Sequence, residues 1–392
     1  MPSINELSKT YNFSKDVAAA LKKVYGEAVE KVFQALKAPG ERYYVRVNTL
    51  KADVGEVIDR LRARGFKVEQ DRNIPEALYV PVEGPFEIPI FEKRVVADKF
   101  AAESVLQGAH LYAPGVTRCE GVRPGDEVTI VDELGQPVGS GVAMMGETQI
   151  LQFRRGLAIQ VTYPKYKVPS FRETEEYAEG LIYPQSLPAV LTSRILDPKP
   201  GDKVLDVACA PGGKLSHIIQ LMGNEGAVVG VDRSKRKIDL TRKNLTRLGC
   251  KAFSLIAHDS RYLDVDFPSL RIDKCLVDPP CTALGVLPKL FEFSSMKDIT
   301  SASNYQKQFI RSASRLLKPG GILVYSVCTM TAEECEDVAR FAEECCLKLD
   351  PQSPYLGHPS VESFSEPRAL QRFHPHIHGS GYFIARFRKE RC

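Results

Sequence analysis

No run of about 18 consecutive apolar residues occurs in the 392-residue chain, so no segment is expected to cross a bilayer. The opening MPSINELSKT lacks the basic and apolar regions of a secretory signal, which points to a cytoplasmic protein. The ten cysteines include no CxxC pair, and several lie in apolar strand patterns. A zinc knuckle or a disulfide framework is therefore not expected, and reduced thiols are. A large charge excess is missing as well: +4 does not by itself imply a nucleic-acid partner. Locally the charge is uneven. Arg233, Lys235, Arg236, Lys237, Arg242, Lys243 and Arg247 are offset only by Asp239, a run that suits either a solvated helix face or an RNA contact. With 43% hydrophobic and 26% charged residues, the composition is that of an ordinary globular chain with room for two or three domains.

Two phosphate fingerprints are absent, GxGxxG and GxxxxGK[ST], which excludes the usual pyrophosphate and P-loop readings. What stands in their place is VLDVACAPGGK, Val204 to Lys214. The run Val204–Val207 reads as a buried parallel strand. Ala208, Cys209, Ala210, Pro211, Gly212 and Gly213 form a turn of small residues, and a helix from Lys214 to Met222 ends at Gly223-Asn224. Strand, glycine turn and helix offer backbone N–H groups and a helix N-terminus to a polar cofactor group.

Strands and helices alternate after that turn. Strands are expected at 227–231, 253–256, 275–277 and 322–325, with helices at 234–248 and 305–317. Thr331 and Glu334 form a capping box for a helix to about Cys346, in which Cys335, Cys345 and Cys346 are packing residues. The fold class is α/β, a doubly wound Rossmann-like sheet spanning 166–392 behind a Pro- and Tyr-rich connector and a helix at 187–195. Residues 1–90 read as a small α+β module, with an amphipathic helix over 14–37, a strand at 43–50, a helix at 54–64 and a strand at 66–69. Over 91–165 a helix near 101–106 gives way to short strands at 109–112, 126–131 and 137–143, a small β-barrel. GAHLYAPGV (Gly108 to Val116) and RPGDEVTIVDELGQPVGSG (Arg123 to Gly141) resemble a PUA domain, an RNA-binding barrel.

Ligands of such a sheet sit beyond the carboxyl ends of its strands. Asp232, Asp259, Asp278 and Cys328 fall there by sequence. Asp232 suits the ribose hydroxyls of a nucleoside cofactor, and Asp259 an adenine amine. Each acid could equally be a helix cap or a loop ion pair. Without a pyrophosphate motif, S-adenosylmethionine fits better than NAD. Asp278-Pro279-Pro280-Cys281 is a rigid elbow that places a second thiol on the same rim. Two thiols beside a methyl donor point to methylation of an unactivated ring carbon. A thiolate adds to carbon-6 of cytosine, which makes carbon-5 nucleophilic. Asp278 would stabilise charge on the base, and Lys214 would favour the thiolate. Pattern alone does not say which thiol attacks.

DVACAPGGK, VDRSKRK, HDSR, VDPPC and YSVCT, in this order and spacing, resemble the RNA 5-methylcytosine methyltransferases of the Nol/Nop/Sun (Nsun) family, from about Leu187 to the closing HPHIHGSGYFIARFRK. RVNTL (Arg46 to Leu50) resembles that family's N-terminal module. A PUA domain between the two is similar to the subgroup of the sixth Nsun member. The resemblance implies methyl transfer from S-adenosylmethionine to carbon-5 of a cytosine near the 3′ end of a tRNA acceptor stem. It implies Cys328 as nucleophile in a covalent Cys328–cytosine intermediate and Cys281 as the thiol that assists release. It also assigns Ala208 to Lys214, Asp232, Asp259 and Asp278 to the donor site and Tyr112 to stacking on RNA. Gln107 stands where an arginine is expected before the Tyr112 turn, and Arg154 and Arg155 are candidate phosphate contacts. The tRNA-bound chain is expected to be a monomer, without membrane or metal. His374, His376 and His378 read as a polar strand edge or loop rather than a metal site. The alternative readings are a ribosomal RNA target, a small-molecule methyltransferase, or a non-catalytic RNA-binding protein that keeps the fold.

Overall fold

The strand of the glycine-turn motif, Lys203–Asp206, lies at the centre of the largest sheet. In a computed structural model, which describes residues 2–391, this sheet runs in the order Phe253–Ala257, Ala227–Asp232, Lys203–Asp206, Ile272–Val277, Leu317–Val327, Tyr382–Lys389 and Leu347–Leu349. The first five strands are parallel and Tyr382–Lys389 is antiparallel to its neighbours. Strand order reverses between Lys203–Asp206 and Ile272–Val277, the switch point where such sheets open a crevice. Alternate residues feed the two faces. Leu205, Cys275, Val277, Leu323 and Tyr325 join the core under the helices Met296–Leu316 and Glu336–Glu344. Val204, Leu276, Ile322 and Val324 join the core under Leu187–Leu196 and Gly213–Leu221. Helices on both faces bury both sides of each strand, which is why these strands read as continuous apolar runs. The doubly wound sheet expected from the sequence is present.

The N-terminal module pairs Arg42–Val47 with Ala77–Pro81 and with Ile182–Pro184, all antiparallel. Ile182–Pro184 comes from the stretch read as a connector, so the chain returns to this module before entering the main sheet. Several local expectations need correction. The helix expected over 14–37 is two, Lys15–Tyr25 and Val29–Leu36, because Gly26 takes φ +51° and ends the first. Ile4–Tyr11 is a further helix with its own capping box, Ser3 and Glu6. The strand placed at 66–69 is only Glu69–Gln70, and its partner Ala77–Pro81 was not expected. The helix placed at 305–317 starts nine residues earlier, at Met296, where Ser295 and Asp298 form a capping box. Thr331 does accept the Glu334 N–H, but the helix begins later, at Glu336. Cys346 is disulfide-bonded, against the expectation of reduced thiols.

The barrel has six strands in the order Leu111–Tyr112, Leu157–Pro164, Pro137–Ala143, Glu127–Val131, Arg94–Ala97 and Val116–Cys119. Close packing needs glycine once on its inner curve: a Cβ at Gly141 would lie 2.1 Å from the Gln160 carbonyl oxygen. The barrel is joined to the main domain by apolar contact as well as charge. Leu290 and Phe291 are buried in its core cluster, and Lys99 Nζ lies 2.6 Å from Glu292 Oε2.

Candidate active site

Two neighbouring parallel strands, Ile272–Val277 and Leu317–Val327, end side by side. The chain beyond the first turns through Pro279-Pro280 to Cys281, and the chain beyond the second reaches Cys328 at once. Their sulfurs are 3.5 Å apart. The hydrogen bond between them holds the Cys281 thiol well above the ordinary range and lowers Cys328. Glu334 opposes the thiolate at Cys281, and at Cys328 Asp278 opposes it more than Lys214 favours it. Burial and Asp278 work against ionisation of Cys328 without reversing the order.

Lys214, the last residue of the glycine-turn motif, places Nζ 2.6 Å from Asp278 Oδ2. Burial alone would lower this amine, but Asp278 and Tyr382 outweigh it and keep Lys214 protonated. The other Asp278 oxygen accepts from Ser326 Oγ at 2.7 Å and from Tyr382 OH at 3.3 Å. A carboxylate held on three sides has little freedom to rotate. Below it, Asp206 is buried and accepts the Ala208 N–H at 3.1 Å; burial pushes its carboxyl up to about 7.

On the far side of the turn is a slot of about 180 Å³, lined by Ala208, Asp232, Ser234, Asp259, Tyr305 and Phe309 among others. An acid at a strand end beside an aromatic and apolar wall matches a nucleoside, with the carboxylate for hydroxyls and the wall for a purine. Asp232 Oδ1 takes the Ser234 N–H at 2.8 Å. Asp259 is less free than the sequence implied: Arg261 Nε donates to its Oδ1 at 2.9 Å and Nη2 to its Oδ2 at 2.6 Å. Cys209 does not line this slot. It is buried, and its thiol packs so close that a Cβ at Gly230 would sit 3.0 Å from the sulfur. Ala210, Pro211, Gly212 and Gly213 shape the turn: Gly212 has φ +102°, and a Cβ at Gly213 would come 2.9 Å from the Tyr183 ring.

Cys328 opens instead onto a second cavity of about 310 Å³. Its walls come from all three parts of the chain, with Arg42 and Tyr44 from the N-terminal module, Gln107 from the barrel helix, and Gln185, Gly381 and Tyr382 from the main domain. A thiol pair, an ion pair and two separate cavities, one lined by Ala208 and Asp232 and the other by Cys328, gather at the ends of these strands. The residues match those of known proteins. Residues 193–388 match the family described as 16S rRNA methyltransferase RsmB/F, 93–163 a PUA domain, and 17–87 the RsmF/B-like ferredoxin-like domain. A tRNA (cytosine(72)-C(5))-methyltransferase of Pyrococcus horikoshii is 43% identical, covering 96% of this chain and 97% of its own. The chain belongs to the Nsun/RsmB-F family of RNA cytosine-5 methyltransferases. Human tRNA (cytosine(72)-C(5))-methyltransferase NSUN6 is 30% identical over 95% of this chain and 89% of its own. The crystal structure of NSun6 from Pyrococcus horikoshii with SFG superposes with a TM-score of 0.90 at 41% identity, covering 97% of this chain and 100% of that one.

For this Nsun/RsmB-F methyltransferase, S-adenosylmethionine is the cofactor, and the Asp232 slot has the lining it needs. Sequence reading missed several residues that build the site. Arg46 is fully buried and donates to Gln185 Oε1 at 2.7 Å, Gly213 O at 2.7 Å and Ser216 Oγ at 2.8 Å, linking the N-terminal module to the Cys328 cavity and to the helix of the glycine turn. Its position in RVNTL was the available signal. Glu334, read as a cap, is fully buried behind the thiols. Tyr112 is exposed on the barrel, as is Arg155. Arg154 is exposed too, and its Nη2 donates to the Pro114 carbonyl at 2.7 Å. None of the three lines the Cys328 cavity. The expected strand edge or loop is a short helix, Pro375–His378, which His374 precedes and His378 ends, both packed edge to face with His358. No group of three or more metal-ligating side chains is present among the described residues.

Proposed function

We propose that this chain transfers a methyl group from S-adenosylmethionine to carbon-5 of a cytosine near the 3′ end of the tRNA acceptor stem, at position 72 as in its relatives. The observation that carries the reading is the 3.5 Å approach of Cys281 and Cys328 beside the Lys214–Asp278 pair. Cys328, the more acidic thiol, is the nucleophile. Its sulfur bonds carbon-6 of a base flipped into the 310 Å³ cavity. Asp278, anchored by Ser326 and Tyr382, takes the polar edge of the base as charge develops there. S-adenosylmethionine, when bound, would supply the electrophilic methyl, with Asp232 and Asp259 lining the slot that would hold it. After transfer, the carbon-5 proton passes to solvent water as the carbon–sulfur electron pair returns to sulfur, which leaves Cys328 as thiolate next to Lys214. Cys281 assists this release. Asp232, Asp259 and Ala208 hold the cofactor, while the exposed Tyr112 and Arg155 suit contact with RNA outside the pocket.

The test is methyl transfer onto total tRNA followed by bisulfite mapping. A single new 5-methylcytosine at position 72 is the expected result. Labelling elsewhere in tRNA, or only in ribosomal RNA, would refute the target while leaving the chemistry standing.

A further inference from the structure

Glu334 is a charged side chain with no exposed surface, and its partners straddle the thiol pair. One oxygen, Oε2, takes the Thr282 backbone N–H at 3.0 Å and Gln306 Nε2 at 2.9 Å. The other takes the hydroxyls of Thr282, Thr329 (3.2 Å) and Thr331 (3.3 Å). Thr282 follows Cys281 in the chain, and Thr329 follows Cys328. The two threonine hydroxyls also bond each other at 2.8 Å. Gln306 does the same from the helix behind, with Nε2 also 3.2 Å from the Pro280 carbonyl and Oε1 accepting from Tyr325 OH at 2.9 Å. A single carboxylate thus gathers the Cys281 loop, the Cys328 loop and the helix that backs them.

A buried charge is costly unless it is hydrogen-bonded, and these five donors meet that requirement. Behind the hydrogen bond to Cys328 and burial, the Glu334 charge also raises Cys281, whereas Cys328 faces Asp278, which raises it, and Lys214, which lowers it. A carboxylate bonded to the residue after Cys281, and the Lys214–Asp278 ion pair beside Cys328, make the surroundings of the two thiols unequal.

We infer that Glu334 is the positioning residue for the two thiols: it clamps the two loops so that the sulfurs meet, and it holds a negative charge against the Cys281 loop. The inference rests on the thiol roles proposed above, and its test uses apoprotein so that the two can fail separately. The pH dependence of iodoacetamide alkylation at Cys281 and Cys328 is followed by peptide mass spectrometry in wild type and Glu334→Gln. In wild type, Cys328 reacts at the lower pH. In Glu334→Gln the Cys281 midpoint falls by about one pH unit or more, and the gap between the thiols narrows. An unchanged Cys281 profile in folded Glu334→Gln overturns the inference. Should that variant not fold, Thr282→Val decides. It removes the hydroxyl that bridges the loops and leaves the carboxylate in place. Diamide, which takes one hydrogen from each thiol and becomes the hydrazine, should then form the Cys281–Cys328 disulfide about tenfold more slowly than in wild type, with the rate restored in Thr282→Ser. Wild-type disulfide formation in Thr282→Val overturns the inference. A covalent RNA adduct in wild-type protein remains a separate measure of the proposed reaction.

Discussion

Lys214 and Asp278 are joined at 2.6 Å across the switch point of the sheet, one from the first turn of the glycine-turn helix and the other from the end of the adjoining strand. This contact fixes the distance between the cofactor turn and the thiols. Neither Lys214→Met nor Asp278→Asn should unfold the chain, because both groups are partly solvated. Each should cut methyl transfer by about 10²–10³ with little change in RNA affinity. Single-turnover rates with bound tRNA check this, and a purely KM effect would contradict it.

The two thiols make separable predictions. Cys328→Ala should lose both turnover and the RNA adduct. Cys281→Ala should bind and methylate but release slowly, so a protein–RNA adduct accumulates on denaturing gels. The opposite pattern would exchange their roles.

Arg46 should matter for assembly more than its place on a short strand suggests. Arg46→Ala strands Gly213 O, Gln185 and Ser216 without their donor at a buried junction. A loss of about 2–4 kcal/mol in urea unfolding is expected, together with weaker S-adenosylmethionine binding. Arg46→Lys should recover only part of either, because an ammonium cannot fork to all three.

Acid should destabilise the fold through His217. Burial, with Arg46 beside it, lowers this histidine to about 4, while its Nε2 lies 2.9 Å from Glu76 Oε1. The folded value lies below the ordinary 6.5, so the unfolded chain takes up a proton that the folded chain refuses. Stability is therefore complete above about pH 6.5 and is lost as pH falls toward 4. The loss from this one group reaches at most ~3 kcal/mol. His217→Asn should flatten the decline of urea midpoint across that window. An unchanged slope would place the proton uptake elsewhere.

Gly212 and Gly213 should reject side chains for different reasons. Gly212→Ala strains a left-handed turn, whereas Gly213→Ala drives a methyl into the Tyr183 ring. Both should weaken cofactor binding, measured by calorimetry, and a Tyr183→Leu background should relieve only the second.

Elements of the main sheet were legible because strands buried on both faces carry unbroken apolar runs. Arg94–Ala97 and Ala77–Pro81 escaped notice because a strand of four or five residues, one ending in proline, looks like loop in isolation. The thiols could be placed at strand ends, yet that the two strands are neighbours is a property of sheet order, which spacing does not encode. Glu334 was hidden for a related reason. TAEECE reads as a solvated helix start, and only tertiary contact shows Glu334 facing inward with five polar groups around it. Asp259 was found by position, while its Arg261 partner, two residues on, was not.

Gln107 gives the barrel a role beyond holding nucleic acid. By ending its helix at the Cys328 cavity, the barrel becomes one wall of the reaction chamber. A catalytic domain freed of it would leave its sulfurs open to solvent on that side. A substitute barrel with a helix one turn longer or shorter would obstruct the chamber or breach it, so these two domains are constrained to change together.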